Sequence, residues 1–284
     1  MDYRILVRGG GDLASGVIAR LHRAGWRVLV TELESPRAVR RAVSFGQAVY
    51  DGEIRVEDIG ARLVKDGVGA EEAFAAEIVP VMVDPLAEAV TWFQPHVLID
   101  ARMRKQPGDL PINAALLILG LGPGFTAGVD CHAVIETNRG PFLGRVIWEG
   151  QAQADTGIPE RVGTKGAERV LRAPAAGSLL ALAEIGDRVR AGDVVAEVEG
   201  APVIAPFDGV LRGLAQSGLM VQAGEKIGDL DPRGDPRLSH LISDKALAIG
   251  GGVLEAILAA PQLKPQKRTL QRLWTRKQPG REQE

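Results

Sequence analysis

A single cysteine, Cys131, stands in a chain of 284 residues. One thiol excludes an internal disulfide framework and fits a reducing compartment, so a cytoplasmic location is expected. Histidine is scarce too. His22, His96, His132 and His240 are scattered, and with one cysteine they offer no structural-zinc spacing, so no metal site is expected. No run of about 18 apolar residues occurs, which argues against a membrane span. The chain enters an apolar run at once, without the basic and then apolar regions of a secretion signal. The formal net charge of −2 gives no support to general nucleic-acid binding.

Glycine, by contrast, is used in patterns. The stretch Arg8-Gly9-Gly10-Gly11-Asp12-Leu13-Ala14-Ser15-Gly16 follows the apolar run Ile5-Leu6-Val7 and precedes a helical spacing of Leu13, Val17, Ile18 and Leu21. A glycine turn between strand and helix lets the backbone approach an anion, and the helix N-terminus supplies N–H groups and partial positive charge. Gly9-x-Gly11-x-x-Ala14 fits a dinucleotide fingerprint, and Glu32 closes the next strand where an acid would meet a ribose hydroxyl. The plain alternative is a turn that only packs a helix on a sheet.

Residues 1–100 alternate strands and helices, the pattern of a Rossmann-like α/β sheet domain that binds a nucleotide or another anion. A helix starting near Pro36 would place Arg37, Arg40 and Arg41 on one face, either as a phosphate clamp or as a solvated basic surface. Gln47–Tyr50 reads as a short strand, and a helix is expected from Leu86 to Phe93. The strand His96–Ile99 ends at Asp100 and is followed by Arg102, Arg104 and Lys105, placed to meet an anion at a strand's carboxyl end.

Residues 101–150 carry a second glycine device packing on the first domain. The apolar run Ala115–Leu119 leads into Gly120-Leu121-Gly122-Pro123-Gly124-Phe125, whose backbone N–H groups could converge on an anion. Two such loops after two apolar strands suggest one shared crevice. Cys131, beside His132, is a weak candidate for a reactive thiol; adjacent strand residues point to opposite faces, so a small buried hydrophobe is the stronger reading. Residues 151–169 are polar and read as a linker.

Residues 170–232 hold an internal repeat. At an offset of 32, Ala173-Pro174 matches Ala205-Pro206, Gly186 matches Gly218, and Ala191-Gly192 matches Ala223-Gly224. Two such copies resemble the small β-barrel of lipoyl and biotinyl carrier domains. Those domains present a modified lysine between the copies, where this chain has Glu199-Gly200-Ala201-Pro202-Val203. No lysine lies between Lys165 and Lys226, so covalent lipoate or biotin is excluded on chemistry. Residues 233–284 comprise a helix opened by Ser243-Asp244-Lys245 and a basic tail, unstructured or an electrostatic docking arm. Gly250-Gly251-Gly252 inside that helix calls for a helix break or a close approach of another backbone.

The glycine turn, Thr31-Glu32, Pro36-x-x-x-Arg40-Arg41, Asp100-Ala101-Arg102-Met103, Gly122-Pro123-Gly124-Phe125 and Ile135-Glu136-Thr137-x-Arg139-Gly140 together resemble the YqeB family. The likeness continues through the repeats to Gly251-Gly252-Val253-Leu254-Glu255-Ala256. That resemblance implies an accessory protein that matures a selenium-dependent molybdenum hydroxylase, with the hydroxylase apoenzyme or other maturation proteins as partners. It also leads one to expect histidine after Arg139-Gly140, where the chain has Pro141. It supplies no agreed catalytic residue. The resulting expectation is a molybdopterin-type cofactor or nucleotide held by Gly9, Gly10, Gly11, Asp12, Glu32, Arg40, Arg102, Lys105, Gly122, Gly124 and Phe125. An NAD-dependent oxidoreductase, with Glu32 on the ribose, and a non-catalytic scaffold that docks a target enzyme are the alternatives.

Overall fold

The computed structural model describes residues 3–155, 157 and 161–263; the basic tail beyond lies outside the described residues. Nine strands form one sheet. They are β1 (Arg4–Arg8), β2 (Arg27–Glu32), β3 (Glu53–Val56), β4 (Ile59–Val64), β5 (Val79–Val83), β6 (Val97–Asp100), β7 (Leu117–Leu121), β8 (Ala133–Ile135) and β9 (Val146–Ile147). Their order is β3-β4-β5-β2-β1-β6-β7-β8-β9. The inner strands β4 to β8 all pair in parallel, while β3 and β9 close the edges antiparallel. The strand order turns back at β1, so β2 and β6 flank it. The sheet runs without interruption from the first glycine turn through the second.

Parallel strands covered on both faces need apolar residues on both sides of the pleat. Ile5, Val7, Val28, Val30, Ile99 and Leu119 face one core, with α1 (Asp12–Arg23) among its covering elements. Leu6, Leu29, Leu98 and Ile118 face the other, with Phe93 and Phe125. The four-residue helix α2 (Ala48–Asp51) stands where the sequence suggests a strand, and α3 (Gly67–Ala75) is N-capped by the Asp66 side chain. The expected helix over 86–93 is shorter, α4 (Val90–Phe93).

The C-terminal helix α5 (Asp244–Ala259) starts where expected, its Ser243 side chain accepting the Ala246 N–H at 3.1 Å. It lies on α1, and its glycines permit the contact. A Cβ on Gly250 would collide with the Gly16 carbonyl, and one on Gly252 with the Gly144 carbonyl, whereas Gly251 faces open space. The helix is continuous, so close backbone approach explains two of the three glycines.

The repeat folds as two four-stranded sheets. The strands are β10 (Val170–Arg172), β11 (Gly177–Ala181), β12 (Arg188–Val189), β13 (Val194–Val198), β14 (Ala201–Ile204), β15 (Gly209–Leu214), β16 (Met220–Val221) and β17 (Lys226–Asp231). They pair in the orders β10-β17-β15-β12 and β14-β13-β11-β16 around a core that includes Leu179, Val195, Leu211 and Ile227.

The helix expected after Pro36 does not form. Residues 33–40 run irregularly into two short 3₁₀ turns, Arg41–Val43 and Phe45–Gln47. The physical reason is the barrel. Arg37 pairs with Glu225 at 2.7 Å, Arg41 donates to the Leu214 carbonyl at 2.7 Å, and Gln47 donates to Gln216 at 3.0 Å. A Cβ on Gly213 would stand 2.9 Å from the Val39 carbonyl oxygen. Tertiary contacts therefore replace the helical ladder.

Candidate functional site

The carboxyl ends of β1, β2 and β6 converge where the strand order reverses, the position at which open α/β sheets hold ligands. A crevice of about 700 Å³ opens there. Gly9, Gly11, Asp12, Glu32 and Arg102 line it, so the structure brings together five of the residues selected from the sequence. Gly9 has φ +92°, and a Cβ there would press on Arg102 at 3.3 Å, so glycine is required for the turn. Gly11 instead has an ordinary extended backbone and nothing within 4 Å of where a Cβ would stand. The amides of Asp12, Leu13 and Ala14 open α1 and have no partner further up the helix.

Gly10 departs from expectation. It is buried behind the crevice, and its N–H donates to Glu32 Oε1 at 2.6 Å; Glu32 Oε2 accepts the Leu33 N–H at 3.0 Å. Burial raises the Glu32 pKa, against the opposing effect of those two N–H groups. Glu32 thus lines the crevice while bracing the glycine turn.

The charges of this crevice are matched within the protein. Arg102 forms hydrogen bonds to both Asp100 and Asp109, and Arg104 reaches Asp109 at 2.5 Å. Burial disfavours the Arg102 charge, but the Asp100 and Asp109 bonds outweigh it and raise its pKa. Arg102, then Arg8, holds the Asp109 carboxyl well below its usual range. Arg8, 1% exposed, pairs with Asp109 and donates to the Pro85 carbonyl, leaving its Nε buried without a hydrogen-bond partner. Sequence reasoning missed Arg8. Its signal is a cation at the end of an otherwise apolar strand, immediately before the glycine turn.

A second hollow of about 570 Å³ lies between the sheet and the barrel. It shares Asp12, Leu13, Ala38 and Met103 with the crevice and holds Arg40 and Lys105. Arg40 is buried, pairs with Asp12 at 2.9 Å and donates to the Leu238 and Leu241 carbonyls. Lys105 pairs with Asp155. The barrel contributes Arg169, Arg172, Arg212 and Lys226, none of which the sequence singled out.

The second glycine loop is built differently from the first. Of Gly122-Pro123-Gly124, Pro123 reaches the cleft. Gly122 abuts Thr137 and Met103, and Gly124, at φ +110°, packs on the backbone of Lys105 and Gln106. Phe125 is 2% exposed and lies against Gly120, where a Cβ would overlap its ring. These three residues shape the loop and line neither hollow. Cys131 is fully buried, with its thiol pushed up to about 12 by burial and then by Asp130. Such a thiol is poorly suited to a nucleophilic role, in keeping with the stronger reading of Cys131 as a small buried hydrophobe.

Among the described residues no group of three or more histidine, cysteine, aspartate or glutamate side chains could hold a metal ion, and no helix is long and apolar enough to cross a membrane.

Residues 169–230 match the biotin/lipoyl family described as "Biotin-requiring enzyme". The chain is 46% identical over 254 residues to the protein named "Uncharacterized protein YqeB" of Escherichia coli (strain K12), covering 89% of this chain and 47% of that relative. The chain therefore spans about half the relative's length, and the likeness supports the YqeB family. Among solved structures, an aspartoacylase family protein from Mesorhizobium loti is 14% identical, covers 81% of this chain and 85% of its own, and has a TM-score of 0.28. A succinylglutamate desuccinylase from Silicibacter sp. is 13% identical, with 81% and 84% covered and a TM-score of 0.25. Scores this low carry no argument about fold.

Proposed function

We propose that this protein is an accessory protein for the maturation of a selenium-dependent molybdenum hydroxylase, binding an anionic molybdopterin-type cofactor or a nucleotide as cargo. The observation that carries this reading is the pair of adjoining hollows at the N-terminus of α1, which share Asp12, Leu13, Ala38 and Met103. The first, charge-matched and built on the Gly9–Gly11 turn, suits a polar heterocycle. The second, rich in arginine and lysine, suits the phosphate that such a cofactor carries. A ligand passing from one to the other would cross the helix N-terminus, where open N–H groups favour an anion. The buried Arg8 and Arg40 Nε atoms without hydrogen-bond partners fit a site organised to meet acceptors.

The reading treats the sheet as Rossmann-like. The order β5-β2-β1-β6-β7-β8 follows the 3-2-1-4-5-6 arrangement of that fold and supports this assignment. The barrel, with Glu199-Gly200 in its β13–β14 hairpin, is read as a wall of the site and not a swinging carrier.

Titration of the full chain with a molybdopterin nucleotide and with NAD tests the proposal, together with mass spectrometry of any small molecule released on denaturation. Saturable binding of the pterin nucleotide, lost in Gly11→Val, is expected. Binding of NAD alone would replace the reading with an oxidoreductase. Binding of neither, with a hydroxylase co-purifying, would replace it with a docking scaffold.

A further inference from the structure

The wall of the cleft between sheet and barrel is predominantly basic among the described residues. Among the described residues its wall holds eight lysine or arginine side chains and three aspartates, Asp12, Asp155 and Asp229. All three aspartates are engaged: Asp12 with Arg40, Asp155 with Lys105, Asp229 with Arg169.

Arg212 and Lys226 are left poorly matched. Arg212 stands 3.7 Å from Asp229 and 3.9 Å from Asp231, beyond hydrogen-bond distance, with a side chain only 13% exposed. Its Nε is buried and has no hydrogen-bond partner. Burial lowers its pKa, and Arg40 across the cleft lowers it further. Lys226 opens into the cleft, yet the surrounding protein disfavours its charge, with Arg169 and Arg212 adding to the effect and Asp229 and Asp12 opposing it. Holding like charges close together, with Arg212 largely buried, opposes folding. The ion pairs of Arg212 with Asp229 and Asp231 repay this only in part, because among the described residues neither the Arg212 nor the Lys226 side chain has an acceptor at hydrogen-bond distance. A bound anion would supply both acceptors and counter-charge.

We infer that this cleft is a binding site for a compact, multiply charged anion of the pyrophosphate class, clamped between the barrel's Arg172, Arg212 and Lys226 and Arg40 of the irregular segment that follows β2. The volume suits a small molecule and not a polymer. Among the described residues no aromatic side chain lines the cleft, so a nucleobase would have nothing there to stack on, and recognition rests on the phosphate chain. The barrel then serves as half of an anion site, a use of the carrier fold that needs no modified lysine. The inference deepens the role given to this hollow in the proposed function, but its test asks for an anion and not for a pterin, so it can fail while the crevice still binds a cofactor, and hold if it does not.

Calorimetric titration of the full chain with inorganic pyrophosphate, beside orthophosphate, is the test. One saturable site is expected, at least tenfold tighter for pyrophosphate and weakened by added salt. The double variant Arg212→Gln/Lys226→Gln should lose at least tenfold in pyrophosphate affinity. Lys226→Gln alone, which removes no ion pair or hydrogen bond, should lose severalfold and keep the wild-type fold by circular dichroism. A charge-matched control outside the cleft lining, Arg62→Gln/Lys65→Gln, should bind as wild type does. Pyrophosphate should raise the melting temperature of wild type and control and leave that of the cleft double variant unmoved. Absence of saturable binding to wild type, or equal weakening by the cleft and control pairs, would overturn the assignment.

Discussion

Glu32 Oε1 accepts the backbone N–H of Gly10 at 2.6 Å, joining the end of one parallel strand to the glycine turn that follows its neighbour. An acid at this position is usually read as a ribose ligand. Here it also satisfies the buried N–H of Gly10. The side chain fills the space beside Gly46, where a Cβ on that glycine would stand 2.6 Å from Oε1.

Replacing Glu32 with alanine should therefore cost stability as well as any ligand contact. The buried Gly10 N–H would be left without an acceptor, a loss of about 1–3 kcal/mol. The pH dependence has a definite sign. The folded-state pKa of Glu32 is raised, so its linked contribution is fullest below the unfolded value of about 4.3 and declines as pH rises through the folded value. Urea denaturation of both proteins across this range checks it. A gap between them that widens with pH would contradict the assignment.

The contact of α1 with α5 predicts opposite effects for adjacent glycines. Gly250→Ala places a methyl group into the Gly16 carbonyl and should destabilise by roughly 1–3 kcal/mol or more. Gly251→Ala meets open space inside a helix and should stabilise by up to about 1 kcal/mol. Thermal melts of the two single variants, run side by side, decide the matter; shifts of the same sign would refute the packing.

Much of this was legible in the sequence, and the reasons it was or was not are physical. The glycine turn, the apolar parallel strands and the 32-residue repeat are local patterns, each fixed by a few adjacent residues, and each is found where the sequence puts it. The three glycines of α5 announced a close approach without naming the partner. The irregular path of 36–47 was not legible, because Arg37, Arg41 and Gln47 find their partners in the barrel, at Glu225, Leu214 and Gln216. The cationic cleft was hidden for the same reason: Arg40 and Arg212 are far apart in the chain and meet only after docking. The packing of Gly124 and Phe125 was not legible either, because a glycine-rich loop packed on Lys105 and Gln106 looks, as a string, like one open to an anion.

Cys131 should be inert in the folded protein. With its thiol pushed up to about 12 and its side chain fully buried, almost no thiolate exists at pH 8. A chromogenic disulfide reagent should release no signal from native protein and one equivalent in denaturant. Fast reaction of the native thiol would return Cys131 to the list of functional candidates.

The barrel should remain unmodified when produced beside lipoyl or biotinyl ligases. The turn of its β13–β14 hairpin carries Glu199-Gly200, and no lysine lies between Lys165 and Lys226. Intact-mass measurement with peptide mapping of residues 173–231 should show neither adduct; finding one would demand a different attachment chemistry.

The sharpest test of the glycine crevice is Gly11→Val. The structure separates Gly9 from Gly11. Gly9, at φ +92°, cannot take a side chain without strain and would press on Arg102. Gly11, at φ −71° and ψ −176°, has a backbone open to any residue and no neighbour within 4 Å of a new Cβ. Its one structural cost is at the N-cap of α1, where valine is poorer than glycine by an amount on the order of 1 kcal/mol. The variant should therefore fold, by circular dichroism and melting, while its isopropyl group occupies the space beside the first helical N–H groups. Affinity for a molybdopterin nucleotide should fall at least tenfold in a direct titration. A folded variant that binds as wild type does would show that no ligand approaches Gly11, and the crevice would cease to be the cofactor site.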